Sequence, residues 1–190
     1  MGIADRWGLR AWLRAPGSLS KRLAATGRRY EVQVLRQAVA PLRSQERAAL
    51  GLPSRGLTVV REVLLRVDGQ PLVWARSAVH GHALSGPWKA LKGLGSRPLG
   101  HLLYDDPCIH RSELQPRRVT RHGATHRQMQ RQWLAATGGA APAQMQWSRN
   151  SVFTRHGQQL RVLEMFVPEV AQRDPGPLRR KSRPRAKPRR

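Results

Sequence analysis

The 190-residue sequence predicts an α+β fold, in which a single domain is built around a central antiparallel β-sheet of hairpins flanked by short helices. Two pairs of strand-like runs, 58–79 and 151–167, are each divided by a dipeptide typical of a tight turn. Segment 84–106 indicates two short helices, because Pro87 and Pro98 each suit a first helical position. The repeated strand–helix–strand spacing typical of parallel sheets is absent from the sequence.

Both predicted hairpins turn at a residue followed by glycine, which readily adopts the positive φ that tight hairpin turns require. Asp68-Gly69 joins the first pair of strands, and His156-Gly157 joins the second. The earlier run 30–36 alternates like a further strand, whereas 17–27 and 44–50 are predicted as short helices.

The distribution of charge divides the chain into a domain, 1–172, and a tail, 173–190. The tail carries +8 of the net charge of +24, so the domain is basic in its own right at +16. Because the tail is basic, rich in proline and of low complexity, we expect it to be disordered. Within the domain, 121–146 is predicted to form a helix followed by a Gly/Ala/Pro loop, as a peripheral insertion.

A basic surface can bind nucleic acid, an anionic membrane or an anionic small substrate, and it can also reflect an arginine-rich proteome without a specific partner. The tail has no aromatic residues between its arginines, so we expect no nucleic acid partner, and at most a weak contact with an anionic surface. Cys108 is the single cysteine, and no apolar run is long enough for a signal core or a membrane span. We therefore expect a soluble cytoplasmic protein.

Histidines occur in two close pairs, His80 with His82 and His122 with His126. Neither pair is completed by a cysteine or an acid at a familiar ligand spacing. The sequence therefore predicts no metal site.

One charged residue interrupts an apolar strand face in each predicted hairpin. Both lie among alternating apolar residues: Arg61 with Val59, Val63, Leu65 and Val67, and Glu164 with Leu160, Val162 and Phe166. We expect the opposite face of the first strand to be the more polar one. Burying an unpaired charge is costly, so each of these two residues needs a partner.

Two interpretations account for these opposite charges if both faces cover one cavity. Arg61 and Glu164 form a buried ion pair with a structural role, or they line an apolar pocket as separate poles. In the second case the arginine fork binds a carboxylate, and the glutamate accepts a hydroxyl proton at the other end of a ring-shaped acid. The alternation of residues does not decide between the two.

An ordered set of short motifs resembles the chorismate pyruvate-lyase family from about Ser18 to Pro168. The motifs are Arg61-Glu62-Val63-Leu64-Leu65, Asp68-Gly69, Trp74-Ala75-Arg76-Ser77, Leu84-Ser85-Gly86-Pro87, Leu94-Gly95, Pro98-Leu99-Gly100, Trp147-Ser148-Arg149-Asn150-Ser151 and Leu163-Glu164-Met165-Phe166-Val167-Pro168. Each motif is weak alone, and their order makes the set specific. The long 121–146 region and the basic tail are additions to the family's pattern.

This resemblance implies an enzyme that splits chorismate into 4-hydroxybenzoate and pyruvate, the committed step toward ubiquinone in many bacteria. It implies a single α+β domain in which short helices and mobile flaps cover a buried ligand pocket. It also implies a monomer that needs no metal or organic cofactor. The alternative is a non-enzymatic domain of the same fold that senses aromatic acids. Such domains in bacterial repressors follow a DNA-binding unit, and we expect no helix-turn-helix before residue 58.

The resemblance also assigns site residues. It places the ring-carboxylate arginine at Arg61 and the hydroxyl-binding glutamate at Glu164, the two residues expected to act in catalysis. Two main-chain contacts with the ligand fall on Leu19, where the family often has methionine, and on Leu99. Both follow predicted helix starts, whose free N–H groups attract anions. Arg76 is a further candidate, for the enolpyruvyl carboxylate, with a structural or surface role as the alternative.

The expected chemistry requires little acid–base machinery. The enolpyruvyl methylene group can take the hydrogen from ring carbon C4 in a cyclic rearrangement that aromatisation drives. The enzyme then acts mainly by holding the side chain over the ring. This is consistent with the lack of an apparent Ser/His/Asp or Cys/His constellation in the sequence.

Overall fold

The structure, a computed structural model, describes residues 3–51, 57–142, 145 and 147–176, with the side chains of 3–6 excepted. Over these residues it confirms the predicted α+β class, with one seven-stranded antiparallel sheet and short helices. No described helix is long and apolar enough to cross a membrane.

The sheet joins strands from both halves of the chain. The strands are β1 (Tyr30–Val39), β2 (Thr58–Val67), β3 (Gln70–His80), β4 (His110–Arg111), β5 (Gln115–Arg118), β6 (Trp147–Arg155) and β7 (Gln158–Phe166). They pair in the order β1-β2-β3-β7-β6-β4, and β5 also pairs with β6. The helices are α1 (Ile3–Arg14), α2 (Leu19–Ala24), α3 (Ser44–Ala49), α4 (Leu99–Tyr104) and α5 (Ala124–Thr137), with 3₁₀ turns at Gly81–Leu84, Lys89–Leu91 and Pro168–Gln172.

Both predicted hairpins are confirmed, and their turns have the expected backbone. Asp68 and Gly69 have φ of 51° and 78°, and His156 and Gly157 have φ of 46° and 74°. Positive φ at both central residues matches the right-handed twist of the flanking strands. The turns join β2 to β3 and β6 to β7, and β3 pairs with β7, so the two hairpins form the centre of the sheet.

The first turns of α2 and α4 meet over one face of the sheet. Ser18 caps α2 by accepting a hydrogen bond from the main-chain N–H of Lys21 at 3.3 Å. Pro98 precedes α4 as its N-cap, one residue earlier than predicted. A Cβ at position 100 would lie 2.4 Å from Ser18 Oγ, so a larger residue there would displace the hydroxyl that caps α2.

The opposite face of the sheet, predicted to be the more polar one, carries Glu62 and Arg76 and is also buried. Val60, Glu62 and Leu64 on β2 are each 0% exposed. α5 covers this face, with Met129 and Trp133 in the main core cluster. The 121–146 segment, predicted as a peripheral insertion, therefore contributes to the core through this helix. The helix has few apolar residues because part of it contacts buried polar side chains: Gln128 and Gln132 both donate hydrogen bonds to Glu62.

The chain remains packed a few residues past the predicted end of the domain. Trp12 Nε1 on α1 donates to the carbonyl of Arg173 at 2.8 Å, and Arg173 Nη1 donates to the carbonyl of Thr26 at 3.0 Å. The Arg22 guanidinium also donates to the carbonyl of Pro175. The remainder of the predicted tail, 177–190, lies outside the described residues.

Candidate active site

A cavity lies between the sheet and the first turns of α2 and α4. Its volume is about 50 Å³, and the wider space between the lining atoms, part of which is open solvent, is about 560 Å³. Leu19, Arg61, Leu99 and Glu164, the four residues predicted to bind ligand, all line it. Residues predicted from the alternation of two distant hairpins and from two helix starts therefore lie in one site.

Arg61 enters the cavity from β2 and is only 5% exposed. Its Nη2 donates to the main-chain carbonyls of Gly95 at 2.9 Å and Arg97 at 3.2 Å. Its Nε is buried without a hydrogen-bond partner among the described residues. Burial lowers the pKa of Arg61, and no described carboxylate forms an ion pair with it. The guanidinium is thus held in place by neutral acceptors and retains capacity to bind an anion.

Glu164 enters the cavity from β7, where its side chain is 14% exposed. Its Oε2 accepts a hydrogen bond from Nε of Arg149 at 2.5 Å. No described hydrogen bond or ion pair joins Glu164 to Arg61. The interpretation of these two residues as a structural ion pair is therefore wrong.

The pairing of the strands sets the separation of the two charges. β3 lies between β2 and β7, with Arg61 opposite Ser77 and Glu164 opposite Ala75. Two strand spacings and a two-residue offset place the α-carbons of Arg61 and Glu164 roughly 12 Å apart. The small side chains of Ser77 and Ala75 leave the space between them open.

The walls around the two charges are mainly apolar, with hydroxyl groups at several points. The apolar lining comprises Val32, Val63, Leu65, Leu103, Phe153 and Val162, and the hydroxyl groups belong to Ser18, Ser20, Ser77, Tyr104 and Ser151. Burial raises the pKa of Tyr104 to about 12, so it is a neutral hydroxyl at physiological pH. An apolar cavity with few polar groups is typical of a small-molecule site.

Comparison with known proteins assigns most of this chain to a family. A family model described as chorismate lyase matches residues 7–174. A probable chorismate pyruvate-lyase of Albidiferax ferrireducens is 43% identical over 164 residues, which are 86% of this chain and 83% of that protein. Another, of an Azoarcus species, is 40% identical over 163 residues, 85% of each chain. The chain belongs to the chorismate lyase family.

Solved structures share the fold at much lower identity. The C-terminal domain of PhnF superposes with a TM-score of 0.53 at 17% identity, covering 80% of this chain and 89% of that one. The ligand-binding domain of a GntR-family regulator from Bordetella bronchiseptica gives 0.50 at 14% identity, covering 73% and 85%. At this identity the likeness establishes the fold alone.

Arg76 lies outside the cavity of this chorismate lyase family member, on the opposite face of the sheet. It is 3% exposed and binds Glu46 with Nε at 2.6 Å and Nη2 at 3.0 Å. Its Nη1 donates to Glu62. Although burial opposes it, these two carboxylates raise the pKa of Arg76. The structure therefore supports the structural role that was the alternative for Arg76.

A β-bulge explains why Arg76 does not face Arg61. Val67 pairs with Gln70 next to the turn. If the same register continued along both strands, Arg61 would pair with Arg76. The register shifts between Leu65 and Arg66, so Ser77 takes that place instead. A shift by one residue exchanges the faces of a strand.

Arg149 and Arg111 were not predicted as site residues. Arg149 lies within the Trp147–Ser151 motif, where the W-x-R-x-S spacing was a signal without an assigned role. Arg111 lies on β4, which has two residues and therefore no readable periodicity. Among the described residues, no group of three or more His, Cys, Asp and Glu side chains could hold a metal ion.

Proposed function

We propose that this cavity converts chorismate into 4-hydroxybenzoate and pyruvate. The observation that carries the proposal is that Arg61 and Glu164 line one cavity while each makes its contacts elsewhere, so both retain capacity to bind a ligand. Relatives about 40% identical over most of the chain are named probable chorismate pyruvate-lyases, which supports the same activity here.

Arg61 is proposed to bind the ring carboxylate of the substrate. Its buried guanidinium has only main-chain carbonyls as acceptors, and its Nε has no partner among the described residues. A carboxylate would supply both the opposite charge and further hydrogen-bond acceptors. Leu19 and Leu99 are the first residues of α2 and α4, so their main-chain N–H groups have no acceptor within those helices. They can donate to the same carboxylate.

Glu164 is proposed to accept a hydrogen bond from the C4 hydroxyl group. Arg149 occupies Oε2, and no described residue donates to Oε1. The apolar residues Val63, Leu103 and Val162 provide a wall for the ring. This arrangement fixes both ends of a para-substituted ring and orients the hydrogen on C4.

The reaction can then proceed as a cyclic rearrangement within the bound substrate. The C3–O ether bond breaks, and its electron pair forms the carbonyl of pyruvate. The C=C π pair of the enolpyruvyl group forms a new C–H bond with the hydrogen from C4, so the methylene carbon becomes the methyl group. The C4–H electron pair forms the new ring double bond that completes the aromatic ring. All atoms of chorismate appear in the two products, and the protein contributes position and charge.

The direct test is incubation of the purified protein with chorismate and detection of both products. We expect equal amounts of 4-hydroxybenzoate and pyruvate, and the same rate with and without a chelator. Conversion no faster than that of chorismate in buffer would overturn the proposal. Within the family, this activity supplies the ring precursor of ubiquinone, and we extend that role to this chain as part of the proposal.

Chorismate labelled with deuterium at C4 tests the proposed hydrogen transfer. The rearrangement predicts pyruvate whose methyl group carries one deuterium, detected by NMR in ordinary water. Complete loss of the label to solvent would instead indicate removal of the C4 hydrogen by a base.

A sensing role is the second candidate, and the likeness to regulator domains is the observation that favours it. A sensor would bind 4-hydroxybenzoate with no turnover of chorismate. The 14–17% identity to those domains is far below the 43% to a probable lyase, which favours the enzyme.

A further inference from the structure

Three of the described residues that line the cavity are charged, namely Arg61, Arg111 and Glu164. The proposed function gives a role to Arg61 and Glu164. Arg111 is half-buried on β4, the last strand on its side of the sheet, and has no role in the proposed function.

The surroundings of Arg111 hold the guanidinium without neutralising it. Its Nη1 donates to the carbonyl of Gly17 at 3.2 Å. The guanidinium lies 5.4 Å from the ring centroid of Phe153 and 5.8 Å from that of Tyr104. Among the described residues, its buried Nε has no hydrogen-bond partner and no carboxylate forms an ion pair with it. Burial, together with the charge of Arg149, lowers the pKa of Arg111, while Tyr104 and the charge of Glu164 act in the opposite direction.

The sheet order places Glu164 between the two arginines. Arg61 is on β2, Glu164 on β7 and Arg111 on β4. β2 and β4 are four strand spacings apart, roughly 19 Å across the sheet, which two arginine side chains and a ligand can span. Across the sheet, Arg111 therefore lies on the Glu164 side of the cavity, where its contact with Gly17 also brings it close to the first turn of α2.

Chorismate has its second carboxylate on that same side. The enolpyruvyl ether is on ring carbon C3, next to the C4 hydroxyl that Glu164 is proposed to bind. Arg76 lies on the other face of the sheet, and Arg149 already binds Glu164 and the carbonyls of Trp12 and Ala15. We propose that Arg111 binds the enolpyruvyl carboxylate of the substrate, an inference that rests on the proposed function.

The charges of the site agree with this assignment. The charged lining residues Arg61, Arg111 and Glu164 sum to +1, and Arg149, which pairs with Glu164 from outside the lining, raises the net charge of these described residues to +2. Chorismate is a dianion, and 4-hydroxybenzoate has a single carboxylate. Arg111 therefore distinguishes the substrate from the ring product, because only the substrate carries the group it binds.

Binding of two unreactive ligands tests the proposal without turnover. The first is 4-hydroxybenzoate, and the second is 3-(carboxymethoxy)-4-hydroxybenzoate, which adds a carboxylate on the ether position. For Arg111→Gln we expect the affinity for the second ligand to fall at least about 30-fold, and that for 4-hydroxybenzoate to change less than about 3-fold. Arg117→Gln, on exposed β5 and outside the cavity, is the matched control and should change neither affinity.

A second measurement needs no variant. The wild-type protein should bind the dianion at least about 30-fold more tightly than the analogue whose ether-linked carboxylate is a methyl ester. Equal binding of the two, or equal losses for both ligands in Arg111→Gln, would overturn the role of Arg111 and leave the proposed function standing. Failure of the wild-type protein to bind 4-hydroxybenzoate at all would overturn both.

Discussion

Arg149 donates from Nε to Glu164 Oε2 at 2.5 Å, and its Nη1 donates to the carbonyls of Trp12 and Ala15, each at 2.9 Å. One buried side chain thus fixes the orientation of Glu164 and ties it to the end of α1. The contact leaves Oε1 of Glu164 for a ligand. It also explains how a carboxylate is tolerated on an otherwise apolar strand face.

Replacing Arg149 tests how much its buried contacts stabilise the fold. Arg149→Met removes the cation from a largely buried pair, and we expect the free energy of unfolding to fall by about 3 kcal/mol. Chemical denaturation measures the change. Arg155→Met is the matched control on the same strand, because Arg155 pairs with Asp106 at 2.7 Å with both side chains about a quarter exposed. That control should lose no more than about 1 kcal/mol. Equal losses would show that Arg149 has no special role.

Arg76 is expected to affect stability and not ligand binding. Arg76→Met leaves two buried carboxylates, on Glu46 and Glu62, without their shared cation. We expect a loss of about 3–5 kcal/mol in the free energy of unfolding. The affinity of the folded protein for 4-hydroxybenzoate, measured by calorimetry, should stay within about 3-fold. A selective loss of affinity in a stable Arg76→Met protein would return Arg76 to the ligand site.

Arg61 and Arg76 show which features of the site the sequence could predict and which it could not. Alternation along a single strand correctly predicted that Arg61 and Glu164 share their faces with apolar residues. The relative face of two paired strands depends on register, and the bulge between Leu65 and Arg66 changed it with no signal in the sequence. The alternation also could not show that Glu62 is buried, because its partners Gln128 and Gln132 come from α5, far along the chain.

His126 should make stability depend on pH. The residue is 7% exposed on α5, and burial lowers the pKa of its imidazole, with His122 and Arg121 lowering it further. The folded protein therefore binds this proton less well than the unfolded chain. The stability contributed by the neutral ring is present above the unfolded pKa of about 6.5 and is lost as the pH falls below it.

Thermal unfolding between pH 7.5 and pH 5 measures this effect. The melting temperature of the wild-type protein should fall more steeply over that range than that of His126→Leu, which has no titrating ring. His101→Gln removes an exposed histidine and should retain the wild-type slope. Parallel curves for wild type and His126→Leu would contradict the prediction.

Two truncations separate the packed residues 173–176 from the rest of the predicted tail. Deleting 177–190 should leave turnover and melting temperature unchanged. Deleting 173–190 removes the contacts of Arg173 with Trp12 and Thr26, and we expect the melting temperature to fall by about 5 °C. If both truncations melt like the full chain, the contacts of 173–176 do not contribute to stability.

Calorimetric binding of 4-hydroxybenzoate and benzoate tests most directly whether Arg61 and Glu164 are the two poles of one ligand site. In the wild-type protein, loss of the ligand's hydroxyl group should weaken binding at least about 10-fold, because a hydrogen bond to a charged acceptor is lost. In Glu164→Met the same change should cost less than about 3-fold. Arg61→Gln should weaken both ligands by a similar factor of at least about 30. A hydroxyl effect of the same size in wild type and Glu164→Met, or unchanged affinities in Arg61→Gln, would contradict the assignment.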